Sequence, residues 1–398
     1  MLAYLLDWAN LLVRWTHIIV GIGWIGASFY FVWLDDSLEA PSEADKRNGV
    51  YGDLWSVHGG GFYHNIKFLT GPRNEPLTEN LHWFFSEAYG TLISGLALLA
   101  IVYWSSASTF MIDSSVMALT PPEAIAISIA SLVIGWLVYD ALCKVFEKRP
   151  AVLWTAIGLF LLLMDYGLFH VFGGRAAYIH VGAIIGAIMV LNVYFVVIPG
   201  QKKMLAQIRR GETPDGRPGL LGKMRSVHNT YFTLPVLFIM ISNHFPMTYG
   251  SPYGWIALAM IAVAGVLVRR FMVLGHKGRH LPALPVGAAV LLIGAAILIA
   301  PRPQAAAAGG APVAFAQVAP IMAQRCAVCH GANPTQPGFS APPAGVLLDT
   351  PEHIKANAAR IQQQAVDSHA MPLGNATKMT DAERATVAAW IAGGAKLP

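Results

Sequence analysis

Apolar residues in this chain gather in blocks of about twenty with few polar interruptions, and most blocks lack the 3.6-residue alternation of a half-buried helix. Eight blocks are legible, at about 8–34, 83–104, 121–142, 151–172, 176–199, 228–245, 254–274 and 283–301. Each reaches the roughly 18 residues that mark a candidate membrane-crossing helix. Pro121-Pro122, Pro150, Gly173-Gly174 and Pro199-Gly200 punctuate the blocks, and Trp83, Trp104, Trp154 and Trp255 lie near their ends as an interfacial belt would place them. The pattern predicts a polytopic bundle of about eight spans.

Two stretches break the pattern. Residues 35–82 form a long connection whose first part, Asp35 to Asn48, is polar enough to be solvated. Its second part, Val50 to Leu69, is rich in aromatics around Gly59-Gly60-Gly61 and predicts an ordered element with a tight turn. After the last block, 302–314 is Ala-, Gly- and Pro-rich and reads as a flexible tether. The remainder reads as a small helical domain. Phe315 to Arg325 leads helically into two cysteines, Thr350-Pro351 opens a second helix, and Thr380 with Glu383 forms a capping box for a last helix that stops at Gly393-Gly394. The expected organisation is therefore 1–301, a tether at 302–314, and 315–398, all-α throughout.

Composition agrees. The chain has 398 residues, 55% hydrophobic and 12% charged, against about 25% charged in soluble domains. An integral membrane protein is expected, with lipid as its surroundings. The net charge of +5 gives no sign of nucleic-acid binding. The first block is too long for the core of a cleavable signal peptide.

Charge also orients the bundle. Lys144, Lys148 and Arg149 follow the third block; Lys202, Lys203, Arg209, Arg210, Arg217, Lys223 and Arg225 follow the fifth; Arg269, Arg270, Lys277 and Arg279 end the seventh. The loops 105–120 and 246–253 carry no Lys or Arg. The positive-inside rule makes the basic loops cytoplasmic and puts both termini outside.

Of the three cysteines, Cys143 stands alone and reads as a packing residue. The others form Cys326-Ala-Val-Cys329-His330, in which two thiols add to haem vinyl groups and the next imidazole binds iron. Zinc would need further ligands nearby, and a disulfide would leave His330 unexplained. Haem c is expected. Its attachment on the outer face of the membrane agrees with the orientation drawn from charge. Met371, followed by Pro372, is the expected sixth ligand, with Met379 as competitor, and a Met/His pair raises the potential.

The spans also hold more histidine than packing requires. His17, His170, His180 and His244 map to the outer half, and His58, His64, His82, His228, His276 and His280 to the inner side. Intramembrane polar residues are functional candidates by default. His17, Gly21, Trp24 and Ser28 share one helix face, where close packing is the plainer explanation, as it is for the Gly182/Gly186 pair. His17, His180 and His244, with His170 behind them, are the candidate ligands of an intramembrane haem b or metal. Such a carrier would divide the roughly 30 Å of hydrocarbon between the inner loops and an outer haem c. Arg14, Asp140 and Asp165 are expected to anchor helix ends or to pair.

Several stretches carry a resemblance to a known family: Arg14-Trp15-Thr16-His17 through Ser28-Phe29-Tyr30-Phe31, Trp55 to Tyr63, His180-Val181-Gly182-Ala183 with Asn192-Val193, and His228-Asn229 through Asn243-His244. Over essentially its whole length the chain resembles the bacterial membrane-bound urate oxidases, which have a multi-span N-terminal region and a C-terminal class-I-like cytochrome c domain. The resemblance implies an oxidoreductase of the bacterial inner membrane with its cytochrome domain in the periplasm. It would hydroxylate urate with water to 5-hydroxyisourate and pass two electrons to haem c. From there they would reach a downstream acceptor such as a soluble cytochrome c or a terminal oxidase. Urate is a planar anion, so its site should offer a cation, an aromatic face and a base. His58, His64, Tyr63 and His228 are the candidates, with Lys67 or Arg225 as charge partner. The glycines at 59–61 either admit backbone amides to the ligand or simply make a turn. Two alternatives stay open: a haem c-linked subunit oxidising a quinol or other small molecule, and a transporter or redox sensor with a cytochrome reporter. No clear internal repeat of the transporter kind is visible.

Overall fold

The computed structural model describes residues 2–300 and 313–397; the expected tether at 302–314 falls almost entirely outside them. Eight long helices follow the eight apolar blocks. They are α1 (Leu2–Ser37), α2 (Ser86–Leu98, extended by a π-helical turn Leu99–Trp104), α3 (Pro121–Val145), α4 (Pro150–Phe169), α5 (Gly174–Asn192), α6 (Arg217–Ser242), α7 (Gly254–His276) and α8 (Ala283–Leu298). The boundaries have local causes. Thr120 and Glu123 close a capping box ahead of Pro121, and Pro150 occupies the first turn of α4, where its missing N–H costs nothing.

Three spans depart from expectation. Six helical segments among the described residues are long and apolar enough to cross a membrane. The others are helical but fall short for different reasons: α6 opens with Arg217, Lys223 and Arg225, and α8 has 16 residues. The fifth span does not stop at Pro199. It runs on to Arg209 through a π-helical stretch, Val193–Val197, whose wider turn relieves the backbone bonding that proline cannot complete.

The central helix is α5. Most of its apolar window is buried, whereas the other spans turn apolar side chains outward, as a lipid solvent requires. Close approach depends on two glycines. A Cβ at Gly182 would stand 2.5 Å from Ile239 of α6, and one at Gly135 of α3 would stand 2.6 Å from Ile184. Gly186 meets nothing within 4 Å, so only Gly182 of that pair serves packing.

The connection after α1 contains an antiparallel hairpin, β1 (Val50–His58) and β2 (Gly61–Phe68). It is the one departure from all-α among the described residues. Gly59 and Gly60 turn it with φ of +60° and +82°, the left-handed pair that a two-residue turn needs.

The C-terminal residues form a separate small core around Trp390, Val387, Met379, Met322 and Val318. Its main helices are α9 (Phe315–Arg325), α10 (Pro351–Ala356) and α11 (Asp381–Ala392). Thr350 accepts from the N–H of His353, and Thr380 with Glu383 makes the expected capping box. This core docks on the end of the bundle that carries loops 105–113, 173 and 250, opposite the basic loops. Thr109 donates to the carbonyl of Pro337 at 3.2 Å, Phe110 meets Phe339 with ring centroids 5.7 Å apart, and Ser340 donates to Asp7.

Glu383 ties the last helix to α9 through Arg325, whose Nη2 stands 3.0 Å from Oε1. Burial acts to raise the Glu383 pKa, but the Thr380 N–H and hydroxyl and the Arg325 guanidinium outweigh it and hold the carboxyl below its usual range. With the folded value below the unfolded one of about 4.3, the contribution is present above that pH and is lost as pH falls through the folded value. Glu383→Gln is expected to destabilise this domain by about 1 kcal/mol at neutral pH. The difference should disappear on acidification, as thermal melts at the two pH values would show.

Candidate functional site

Two sites assemble from these elements. The first lies in the C-terminal domain. The chain leaves α9 at Arg325, places Cys326 at its cap and folds Ala327–His330 into a single turn, so both thiols and the imidazole leave one short segment. Both thiols are free. His330 Nδ1 donates to the carbonyl of Val346 at 2.9 Å, a bond that fixes the ring and leaves Nε2 with its lone pair for a metal. Burial, and then the neighbouring Cys329, push the Cys326 thiol up to about 12, which keeps it neutral. A neutral thiol suits thioether formation with a vinyl group and does not suit zinc, which binds thiolate. No group of three His, Cys, Asp or Glu side chains among the described residues is placed around one metal position. The donor set fits covalent haem.

The two methionines separate cleanly. Met379 is buried in the small core, whereas Met371 remains partly exposed at its edge. The Met371 loop is held from behind: its N–H bonds to the Gln364 carbonyl at 2.8 Å, and buried Arg384 donates to its carbonyl at 2.6 Å.

The second site lies within the bundle, towards the basic end. On α6, Arg225, His228, Asn229 and Phe232 follow one another at helical spacings of three, one and three and face α3 and α5. The Tyr139 hydroxyl lies 2.8 Å from His228 Nδ1 and accepts from Asn192 Nδ2 at 2.9 Å. Asn192 also donates to Asn229 Oδ1 at 2.9 Å and accepts from Arg225 at 3.2 Å. Arg225 in turn holds Asp140 at 2.5 Å. The network pairs the Tyr139 hydroxyl, the Asn192 and Asn229 amides and both Nη atoms of Arg225, as an apolar surrounding demands, and leaves only the buried Arg225 Nε unmet. Beside this network a cavity of about 210 Å³ is lined by Trp154, Lys223, Glu147 and His228, among others. Trp154 presents its ring to His228 with centroids 4.6 Å apart. A larger hollow of about 500 Å³, at Trp83, Lys202 and Arg209, brings cations and an indole but no imidazole.

The other candidates lie elsewhere. Strand alternation puts His58 and Tyr63 on one face of the hairpin and His64 on the other. His64 stacks on Trp55 at 4.3 Å and bonds Asp53 at 2.7 Å; Lys67 pairs with Asp35. No hydrogen bond or ring contact joins these residues to His228. In the other half of the bundle, His180 is fully buried, with Nδ1 donating to the Ala176 carbonyl and Nε2 accepting from Ser128, each at 2.7 Å. His17 Nδ1 meets Ser94 at 2.9 Å, His170 Nδ1 donates to the Tyr166 carbonyl at 2.7 Å, and His244 is exposed.

Comparison with known families decides the matter. The model of the urate oxidase N-terminal family matches residues 3–300, three quarters of the chain. The chain belongs to the urate oxidase family. A cytochrome c family model matches residues 315–394, in agreement with the haem-binding donor set. No curated protein and no solved structure matches. The two matches, with the long apolar helices, make the chain a urate-related redox protein of membrane type with a cytochrome c domain that supports haem c as its cofactor.

Its bundle site was only partly visible beforehand. His228 and Arg225 stood out, and Asp140 was expected to pair. Sequence reasoning names Asn192 only within the family resemblance and does not single out Tyr139, although a polar side chain deep in an apolar span is itself the signal that finds both. The sequence places Trp154 in the interfacial belt, whereas the structure sets its ring against His228.

Proposed function

We propose that this protein hydroxylates urate with water to 5-hydroxyisourate and delivers the electrons to haem c on the far side of the membrane. Urate and water give product, two protons and two electrons, so no oxygen atom comes from O2. The observation that carries the reading is the cavity at His228, where an imidazole, an indole and the Lys223 ammonium meet around a space of about 210 Å³. These are the base, aromatic face and cation that a planar anion requires. In the base-competent tautomer, His228 donates from Nδ1 to the Tyr139 oxygen. Nε2 then offers its lone pair to the substrate. Asn192 and Arg225 orient this pair. They do not carry protons, because neither an amide nor a guanidinium gives one up readily. His58, Tyr63 and His64, on the hairpin at the basic end, belong to the approach of substrate in this reading.

Cys326, Cys329, His330 and Met371 would hold haem c, which supplies a one-electron acceptor when bound. Met371→Ala is expected to remove the weak sulfur-to-iron absorption band and lower the potential, while Met379→Ala should leave both in place. The reverse pattern would exchange the two residues. The positive-inside rule makes the basic end cytoplasmic and the docked domain periplasmic in a bacterial inner membrane, where a soluble cytochrome c or a terminal oxidase takes the electrons onward.

A b-type haem in the outer half would divide the distance from the cavity to haem c. His180 has a tautomer suited to it, since its Nδ1–H is committed to a carbonyl and its Nε2 bond to Ser128 is exchangeable. His17 and His244 complete that candidate set, but the three are not gathered around one position among the described residues, and no step is assigned to such a group. A pyridine haemochrome spectrum counts the haems. The hydroxylation itself is tested with labelled water: the label should appear in the product under anaerobic turnover, and label arriving from O2 instead would contradict the reading.

A further inference from the structure

The basic end of the bundle contains a second buried cation that the reaction does not use. Arg269 of α7 is 0% exposed, and neither its Nε nor either Nη has a hydrogen-bond partner. Its guanidinium lies over Phe29 of α1, 3.7 Å from the ring centroid, so one face is stacked while the N–H edge is unmet. Seven residues on, two turns along the same face, buried His276 Nδ1 is also without a partner. The neighbouring cation is not in this state, because Arg270 donates to the Tyr231 hydroxyl at 3.0 Å. Asp36 at the end of α1 acts electrostatically on both Arg269 and His276, but it is already paired with Lys277 at 3.1 Å.

A buried guanidinium is retained only where something meets its charge and its donors. A stacked guanidinium whose three nitrogens are unpartnered, with an imidazole two turns along whose Nδ1 is also unpartnered, presents the donors of a fork for a phosphate or carboxylate. We propose that Arg269, His276 and Phe29 form an oxyanion-binding site between α1 and α7, separate from the His228 cavity. The ligand chemistry is that of a phosphate group, carried either by an anionic phospholipid headgroup at the cytoplasmic surface or by a soluble anion.

Full-length protein in nanodiscs of neutral phosphatidylcholine provides the test, with inorganic phosphate or incorporated phosphatidylglycerol as the two probes. The wild type should gain roughly 2–4 °C in Tm with at least one probe, because a ligand that binds only the folded state stabilises it. A response to the lipid alone identifies a headgroup, and a response to inorganic phosphate identifies a soluble anion. Arg269→Met should abolish the response and, without either probe, melt no lower than wild type, since it removes an unmet charge. His276→Gln should weaken the response, and it serves alone should Arg269→Met not insert. His228→Ala should keep the response in full, so failure of the urate reading and failure of this one are told apart. No shift with either probe, an equal shift in Arg269→Met, or a probe-free melt of that variant below wild type would overturn the site.

Discussion

Replacing both Cys326 and Cys329 with Ser is expected to abolish haem staining on a denaturing gel and to stop urate turnover, while the bundle still inserts. The reasoning is local. The two thioethers are the only covalent links to haem that the segment offers, since His330 alone binds iron reversibly. Among the described residues the bundle shares no side chain of its buried core with the C-terminal domain, whose core around Trp390 and Val387 is separate. Loss of turnover therefore reports a missing acceptor and not a collapsed membrane region. A protease-protection pattern equal to wild type is the control, and undiminished staining in the double variant would remove haem c from this site.

His228→Ala should cost urate oxidation roughly 10²–10⁴-fold, the range for losing a positioned proton acceptor. Haem content and reduction by dithionite should stay as in wild type, because His228 lies in α6 and far from the C-terminal domain. His228→Gln preserves the shape and an acceptor oxygen, so packing is kept while the base is lost, and its defect should be similar. Tyr139→Phe keeps the ring, removes the oxygen that orients His228, and should show a smaller loss. Steady-state rates with an artificial acceptor separate the cases. A His228→Gln variant with wild-type rates would show that the imidazole is not the base and would direct attention to the hairpin histidines.

Much of this fold was legible because the membrane imposes long apolar blocks and local rules set their ends. Pro121-Pro122, Pro150 and Gly173-Gly174 bound their helices as the sequence predicts, and the capping box at Thr380 forms as predicted, while the Thr120 cap ahead of Pro121 is visible only in the structure. The misreadings came where tertiary context outweighed a local rule. Pro199 was expected to end a span, but the π-helical turn before it accommodates the ring and the helix continues. The hairpin at 50–68 announced its turn through three glycines but not its strands, whose exposed Trp55, Val57 and Phe62 give no alternation of buried and polar residues. The haem segment is contiguous in sequence and could be read whole. The bundle site could not, because Tyr139, Trp154, Asn192 and His228 come from four helices and meet only after packing.

The central claim is that urate oxidised in the bundle reduces the haem of the docked domain. Purified, oxidised protein mixed anaerobically with urate tests this most directly, with the α-band of ferrous haem c followed over time. Reduction by urate, absent with xanthine or allantoin and lost in His228→Ala, is the predicted result. A haem that stays oxidised under urate, yet is reduced by dithionite, would contradict it.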